Sequence, residues 1–127
     1  MEVRQFRPLV RGALPLSVLL LSFVAGCAGR RAEVRGQAPS GTPVPVVRLA
    51  AAPANGMVTV RGTMVEKCPA AGCWFILQDG TGRVKVDLKA AGFVVTDVPT
   101  GGETTVTGRL KRHDEETVIE AAGARFQ

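Results

Sequence analysis

The sequence predicts a small all-β barrel, on three observations. Apolar and polar residues alternate through Val58–Leu88 and again through Thr104–Leu110, the period of a half-buried strand. Gly62 and Gly108 stand in the middle of two of these runs, where a strand serving both halves of a barrel has to bend. The runs in Val58–Leu88 are joined by short links rich in Pro, Gly and Asp, as in an antiparallel meander.

Each element follows from its residues. In VTVRGTMVEK, Val58, Val60 and Met64 fall on one side and Thr59, Arg61 and Thr63 on the other. CPAAG ends that strand, because Pro69 has no backbone donor and Gly72 tolerates positive φ, so the chain reverses there. CWFILQD resumes the alternation, with Cys73, Phe75 and Leu77 on one face and Trp74, Ile76 and Gln78 on the other. DGTG makes a tight hairpin into RVKVDL, where Val84, Val86 and Leu88 point in and Arg83, Lys85 and Asp87 point out. The next stretch, LKAAGFVVTDVPTGG, is irregular: Lys89–Gly92 reads as one helical turn ended by Gly92, with Phe93 and Val94 or Val95 plugging the core. TTVTGRLKR sends Val106, Gly108 and Leu110 inward, HDEE is a polar turn, and TVIEAAG is a closing strand. A long strand, a hairpin, an irregular insert and a closing pair are the plan of a five-stranded OB barrel over residues 57–127. A small open sandwich is the rival all-β plan.

The chain ahead of the barrel reads as delivery. MEVRQFRPLVRG is basic, and the apolar run Ala13–Gly26 falls short of the roughly 20 residues that span a bilayer. Pro8, Pro15 and the arginine flank argue against a buried helix, so residues 1–26 are expected to be a signal peptide. The run closes on Val24-Ala25-Gly26-Cys27, which resembles the lipobox of bacterial lipoproteins. That resemblance implies cleavage before Cys27, acylation of its thiol and a lipid anchor in the membrane; Ala28 after it implies the periplasmic face of the outer membrane. Residues 27–56 then form a lipidated N-terminus and a flexible tether rich in Pro, Ala and Gly, punctuated by Pro39, Pro43, Pro45 and Pro53. Val44, Val46, Val47 and Leu49 are its one apolar patch, for which an extended linker is the first reading and pairing onto the domain edge the alternative.

Charge excludes one class of partner. The pI near 9.7 and net charge of +5 invite a nucleic-acid reading. Residues 1–56, however, carry seven Arg against two acids, whereas residues 57–127 carry nine Lys or Arg against nine Asp or Glu. A neutral domain lacks the excess cations that displace counterions from a polyanion. Single-stranded nucleic acid is therefore the third reading only, with Trp74 as the one candidate stacking residue.

CPAAGCWFIL followed by VKVDLKAAGFVV resembles a family of small exported bacterial OB-like proteins classed as a domain of unknown function. Its marks are two cysteines in C-x4-C, the second in a Gly-Cys-Trp run, and a Gly-Phe pair after the third strand. Here these are Cys68, Gly72, Cys73, Trp74, Gly92 and Phe93, and the following proline comes late, at Pro99. The resemblance implies fold and export without an assigned activity.

Chemistry concentrates at the same place. In an oxidising compartment Cys68 and Cys73 are expected first as a disulfide closing a six-residue ring, contributing about 2 kcal/mol to a thin core. Two alternatives stay open: a redox pair, and a Cu(I) site made by both thiolates with Met64. Trp74 is either an exposed platform or packed on Phe93 or the N-terminal segment, and His113 belongs to a solvated turn. No nucleophile–base set, phosphate loop or cluster of His and carboxylates occurs, so no enzyme is expected. The function expected is a non-catalytic binding or scaffolding module of the cell envelope, contacting a protein or small ligand through Trp74 and its turn; the alternative is thiol-redox or copper handling.

Overall fold

A computed structural model describes residues 31–127; the leader and Cys27 lie outside the described residues. Six strands follow in chain order: β1 (Glu33–Gly36), β2 (Met57–Lys67), β3 (Trp74–Gln78), β4 (Arg83–Asp87), β5 (Glu103–His113) and β6 (Glu116–Phe126). A short 3-10 helix, Val46–Ala51, lies between β1 and β2.

The sheet closes on itself. β2 pairs with β3, β3 with β4, β4 with β6, β6 with β5, and β5 again with β2, which makes a five-stranded barrel of OB topology. All these pairings are antiparallel except β4 with β6, where Lys85–Asp87 run parallel to Val118–Glu120. The alternating residues form the core: Val60, Met64, Phe75, Leu77, Val106 and Leu110 are all fully buried. Burying such a side chain stabilises by about 1.5–3 kcal/mol each, so a few of them decide whether so small a barrel folds.

Gly108 bends the closing pair. A register shift falls between Thr107 and Gly108 where β5 pairs with β6, and a Cβ at Gly108 would run into the Glu120 carbonyl. Gly62 of β2 is pressed in the same way against the Gln78 carbonyl of β3.

The expected tether is corrected by the structure over its described part. Glu33–Gly36 pair antiparallel with Gly123–Phe126 of β6, and Val46 and Leu49 are buried in the core cluster. The prolines limit regular structure to the short β1 ladder and the 3-10 helix, and permit an extended arm that follows the barrel wall. Its backbone is hydrogen-bonded where it touches: Val44 N–H donates to the Thr59 carbonyl at 2.8 Å, and Ser40 N–H to Thr107 Oγ1 at 3.0 Å. Thr59 and Thr107 are buried for this reason although their strand positions face outward; their hydroxyls are 2.8 Å apart and both bond the Ser40 carbonyl. Arg112 donates to the carbonyls of Leu49, Ala50 and Ala52 at 2.7–2.9 Å, capping the C-terminal end of the 3-10 helix.

The insert between β4 and β5 is a chain of turns rather than a helical turn. Gly92 has φ +77°, Val95 is fully buried and Phe93 packs against the core, while Val94 is exposed. The last strand runs past the expected end to Phe126, whose ring meets Phe75 edge-on with centroids 6.1 Å apart.

Candidate functional site: the cysteine turn and the outer face of the β3–β4 hairpin

The β2–β3 turn is built from both of its ends. Cys68 N–H donates to the Trp74 carbonyl at 3.1 Å, closing a loop in which Pro69, Ala70 and Ala71 are exposed. Gly72 has φ +59°, and a Cβ there would lie 2.7 Å from both the backbone nitrogen and Cγ2 of Thr96. Glycine is therefore required by conformation and by space alike. The insert braces the turn, since Val95 N–H donates to the Gly72 carbonyl at 3.0 Å and Leu88 N–H to the Cys73 carbonyl at 2.9 Å. Lys67 completes the brace. Its ammonium donates to the carbonyls of Val95, Thr96 and Val98 at 3.2, 2.9 and 2.5 Å.

Cys68 and Cys73 are free thiols, both half-buried, and not the disulfide expected from their spacing. The physical reason is that they serve different neighbours. The turn's backbone amides, Ala71 and Ala70 first and then Gly72 and Cys73, favour the Cys68 thiolate. These donors outweigh desolvation and draw the Cys68 thiol down from the usual 9.0 to about 7. Cys73 instead lines a cleft of about 270 Å³ with Leu88, Lys89, Gly92, Phe93 and Val94. Met64 is sealed in the core opposite Leu77, so its thioether packs among apolar side chains. Among the described residues, no group of three or more His, Cys, Asp and Glu is placed to hold a metal ion.

Trp74 opens β3 with its side chain half-buried. The Lys85 ammonium lies over its ring, 5.5 Å from the centroid, a cation–π pair between adjacent strands. Further along the hairpin, Arg83 Nε donates to Gln78 Oε1 at 2.6 Å. The outer face of β3 and β4 then meets the β5–β6 hairpin, and the two enclose an open cleft of about 500 Å³. Ile76, Val84, Arg83, Lys85, Glu66, Glu115 and Glu116 are among its lining, so cations and carboxylates face one another around two apolar residues. His113 is exposed at the end of β5, paired in register with Glu116, and stays outside that lining.

Trp74 and the cysteine turn stand out in the sequence, whereas this cleft does not. Ile76 as an outward apolar residue among polar ones was the available signal; its meeting with Glu115 and Glu116 needs barrel closure to be seen.

No family model matches the sequence, and no curated protein matches it. Among solved structures, the chain is similar to the hypothetical protein ygiW from E. coli. The two are 20% identical over 70% of this chain and 94% of that one, with a TM-score of 0.55. It is also similar to a chain of the S. pombe Stn1–Ten1 complex, 15% identical over 66% of this chain and 75% of that one, with a TM-score of 0.47. The likeness to ygiW bears on architecture alone and agrees with the barrel topology described above.

Proposed function

We propose that this chain is a lipid-anchored module of the cell envelope that binds, without catalysis, a polar partner of mixed charge on the outer face of β3 and β4. The observation that carries the reading is the cleft itself. It lies on the strand face and beside the hairpin loop that OB barrels use for ligands, and it presents Arg83 and Lys85 opposite Glu66, Glu115 and Glu116. Such a lining favours a protein segment bearing both signs of charge over a polyanion, which the carboxylates would repel. Trp74 is tied to it through Lys85, whose ammonium lies over the Trp74 ring.

The anchor is part of this proposal and is supported by Val24–Cys27 after the basic leader. Glu33 is already paired in the sheet, which leaves residues 28–32 as the link, at most about 18 Å when fully extended. A lipidated Cys27 would hold the barrel against the bilayer surface.

The test is a photo-crosslinking amino acid at position 76 in cells, with a second probe at the exposed position 109 on β5 as control. A discrete crosslinked species from position 76, lost in Lys85→Glu, is the expected result. Identical patterns from both positions would refute the assigned face. Separately, Cys27→Ser should move the protein out of the membrane fraction, and unchanged partition would remove the anchor.

A further inference from the structure

We propose that the 3-10 helix Val46–Ala51 is the second half of the docking surface assigned above, and that the partner is a protein carrying an apolar side chain beside its charged segment. This rests on the binding reading of the β3–β4 cleft and extends it to a part of the chain that reading does not use.

The helix has two unlike faces. In a 3-10 helix the residues i and i+3 eclipse, so Val46 and Leu49 stack on one face and Val47 and Ala50 on another. The first pair is buried in the core. The second is exposed, and Val47, at 61%, is the most exposed large apolar side chain among the described residues. Pro45, Ala51, Pro53 and Ala54 are exposed on either side of it in the chain, which leaves an apolar rim over this end of the barrel.

This apolar turn is clamped from two sides. Val46 N–H donates to Asp79 Oδ2 at 2.9 Å and Val47 N–H to Thr81 Oγ1 at 3.1 Å, while Arg112 donates to the carbonyls at the far end. A surface fixed before its partner arrives loses little entropy on binding. The same clamps set the helix beside the cleft. A Cβ added at Gly82 would lie 3.3 Å from Val46 Cγ1, so the helix sits against the residue that precedes Arg83. Arg112 pairs in register with Thr117, which lines the cleft from the other wall. An apolar contact thus adjoins a lining of Arg83, Glu115 and Glu116, the combination of apolar centre and charged rim that protein interfaces use.

Two other occupants are disfavoured. Glu33 pairs with Phe126 and Arg112 with Thr117, so tether and helix meet β6 about 30 Å apart along the strand, at roughly 3.3 Å per residue. The link of residues 28–32 reaches about 18 Å, too short to invert the anchored barrel and press the helix onto the bilayer. A polyanion would meet the carboxylates of Glu115 and Glu116. A protein segment that sets an apolar side chain on Val47 and a cation towards those carboxylates satisfies both halves.

The experiment places a photo-crosslinking amino acid at position 47 of the full chain in cells, alongside the probe at position 76. Both positions should give the same discrete species. Val47→Lys should cut the species from position 76 roughly 10-fold, the effect of losing one well-packed anchor, and leave the unfolding midpoint in place because Val47 is exposed. Val34→Lys, at an exposed valine near the tether, should leave the species unchanged. A species from position 76 with none from position 47, an undiminished species in Val47→Lys, or an equal loss in Val34→Lys overturns the inference and leaves the cleft reading standing. No species from position 76 removes the cleft reading and this inference with it, even if position 47 alone is crosslinked. Phospholipid captured at position 47 assigns the bilayer, and a product made only of two copies of this chain assigns self-association; either overturns the partner proposed.

Discussion

Asp79 holds Val46 across 33 residues of chain: one oxygen of its carboxylate accepts the Val46 N–H at 2.9 Å, at the first residue of the 3-10 helix. Its other oxygen accepts from Thr81 N–H, Thr81 Oγ1 and Gly82 N–H at 2.7, 2.6 and 3.0 Å. One side chain thus shapes the β3–β4 turn and docks the N-terminal arm onto it.

Replacing Asp79 by alanine should therefore loosen both. We expect a loss of about 1–2 kcal/mol, the usual scale for removing a capping carboxylate, read from urea unfolding followed by the single tryptophan. Amide exchange at Val46 and Val47 should rise more than elsewhere, since Val47 N–H bonds Thr81 Oγ1 in the same turn. Uniform acceleration across the barrel would contradict this local account.

Arg35 and Asp97 predict an acid-sensitive arm. The guanidinium of Arg35 makes two bonds of 2.7 Å to the Asp97 carboxylate, and this pairing holds that carboxyl down to about 2. A depressed carboxyl stabilises the fold fully above its unfolded value near 3.9 and loses that contribution as pH falls towards 2. Between about pH 4 and pH 2, β1 amides should lose exchange protection before those of β5. Asp97→Asn should abolish the difference, and an arm equally protected at pH 2 and pH 5 would count against the pairing.

Lys67→Met keeps the stem but removes the three donors that fix the insert. Leaving the partly buried Val98 carbonyl without its donor, and Val95 with the Val98 N–H alone, should destabilise by about 1–3 kcal/mol. Because the insert braces the Cys68 turn, alkylation of Cys68 at pH 7 should also slow. A stability loss with an unchanged alkylation rate would separate the brace from the thiol's environment.

A fragment of residues 57–127, the domain boundary read from the sequence, should fold poorly, whereas residues 31–127 should fold. The shorter piece removes Leu49 and Val46 from the core, each worth about 1.5–3 kcal/mol, together with β1 and its hydrogen bonds to β6. Circular dichroism and the unfolding midpoint of the two fragments give the comparison; equal midpoints would show the arm to be dispensable.

By itself the sequence determined the barrel. Strand alternation is a local property, so Phe75, Leu77, Val84, Val86, Val106 and Leu110 could be assigned to the core from their spacing, and each is buried. Gly62 and Gly108 were legible as well, because a close backbone approach excludes any Cβ. The DGTG hairpin and the turn at Gly72 follow from the φ those residues allow.

Tertiary structure alone decided the rest, wherever the outcome hung on contacts between residues far apart in the chain. The arm looks like linker in isolation because its prolines interrupt regular structure; the facing Thr59, Asp79, Thr81, Thr107 and β6 give its N–H groups partners. Two cysteines on one turn read as a disulfide until the turn amides and the insert cleft are seen to draw them to different neighbours. The mixed-charge cleft needs the barrel to close before Glu115 and Glu116 can meet Ile76 and Lys85, because strand periodicity says which way a side chain points and nothing about which strand end will arrive beside it.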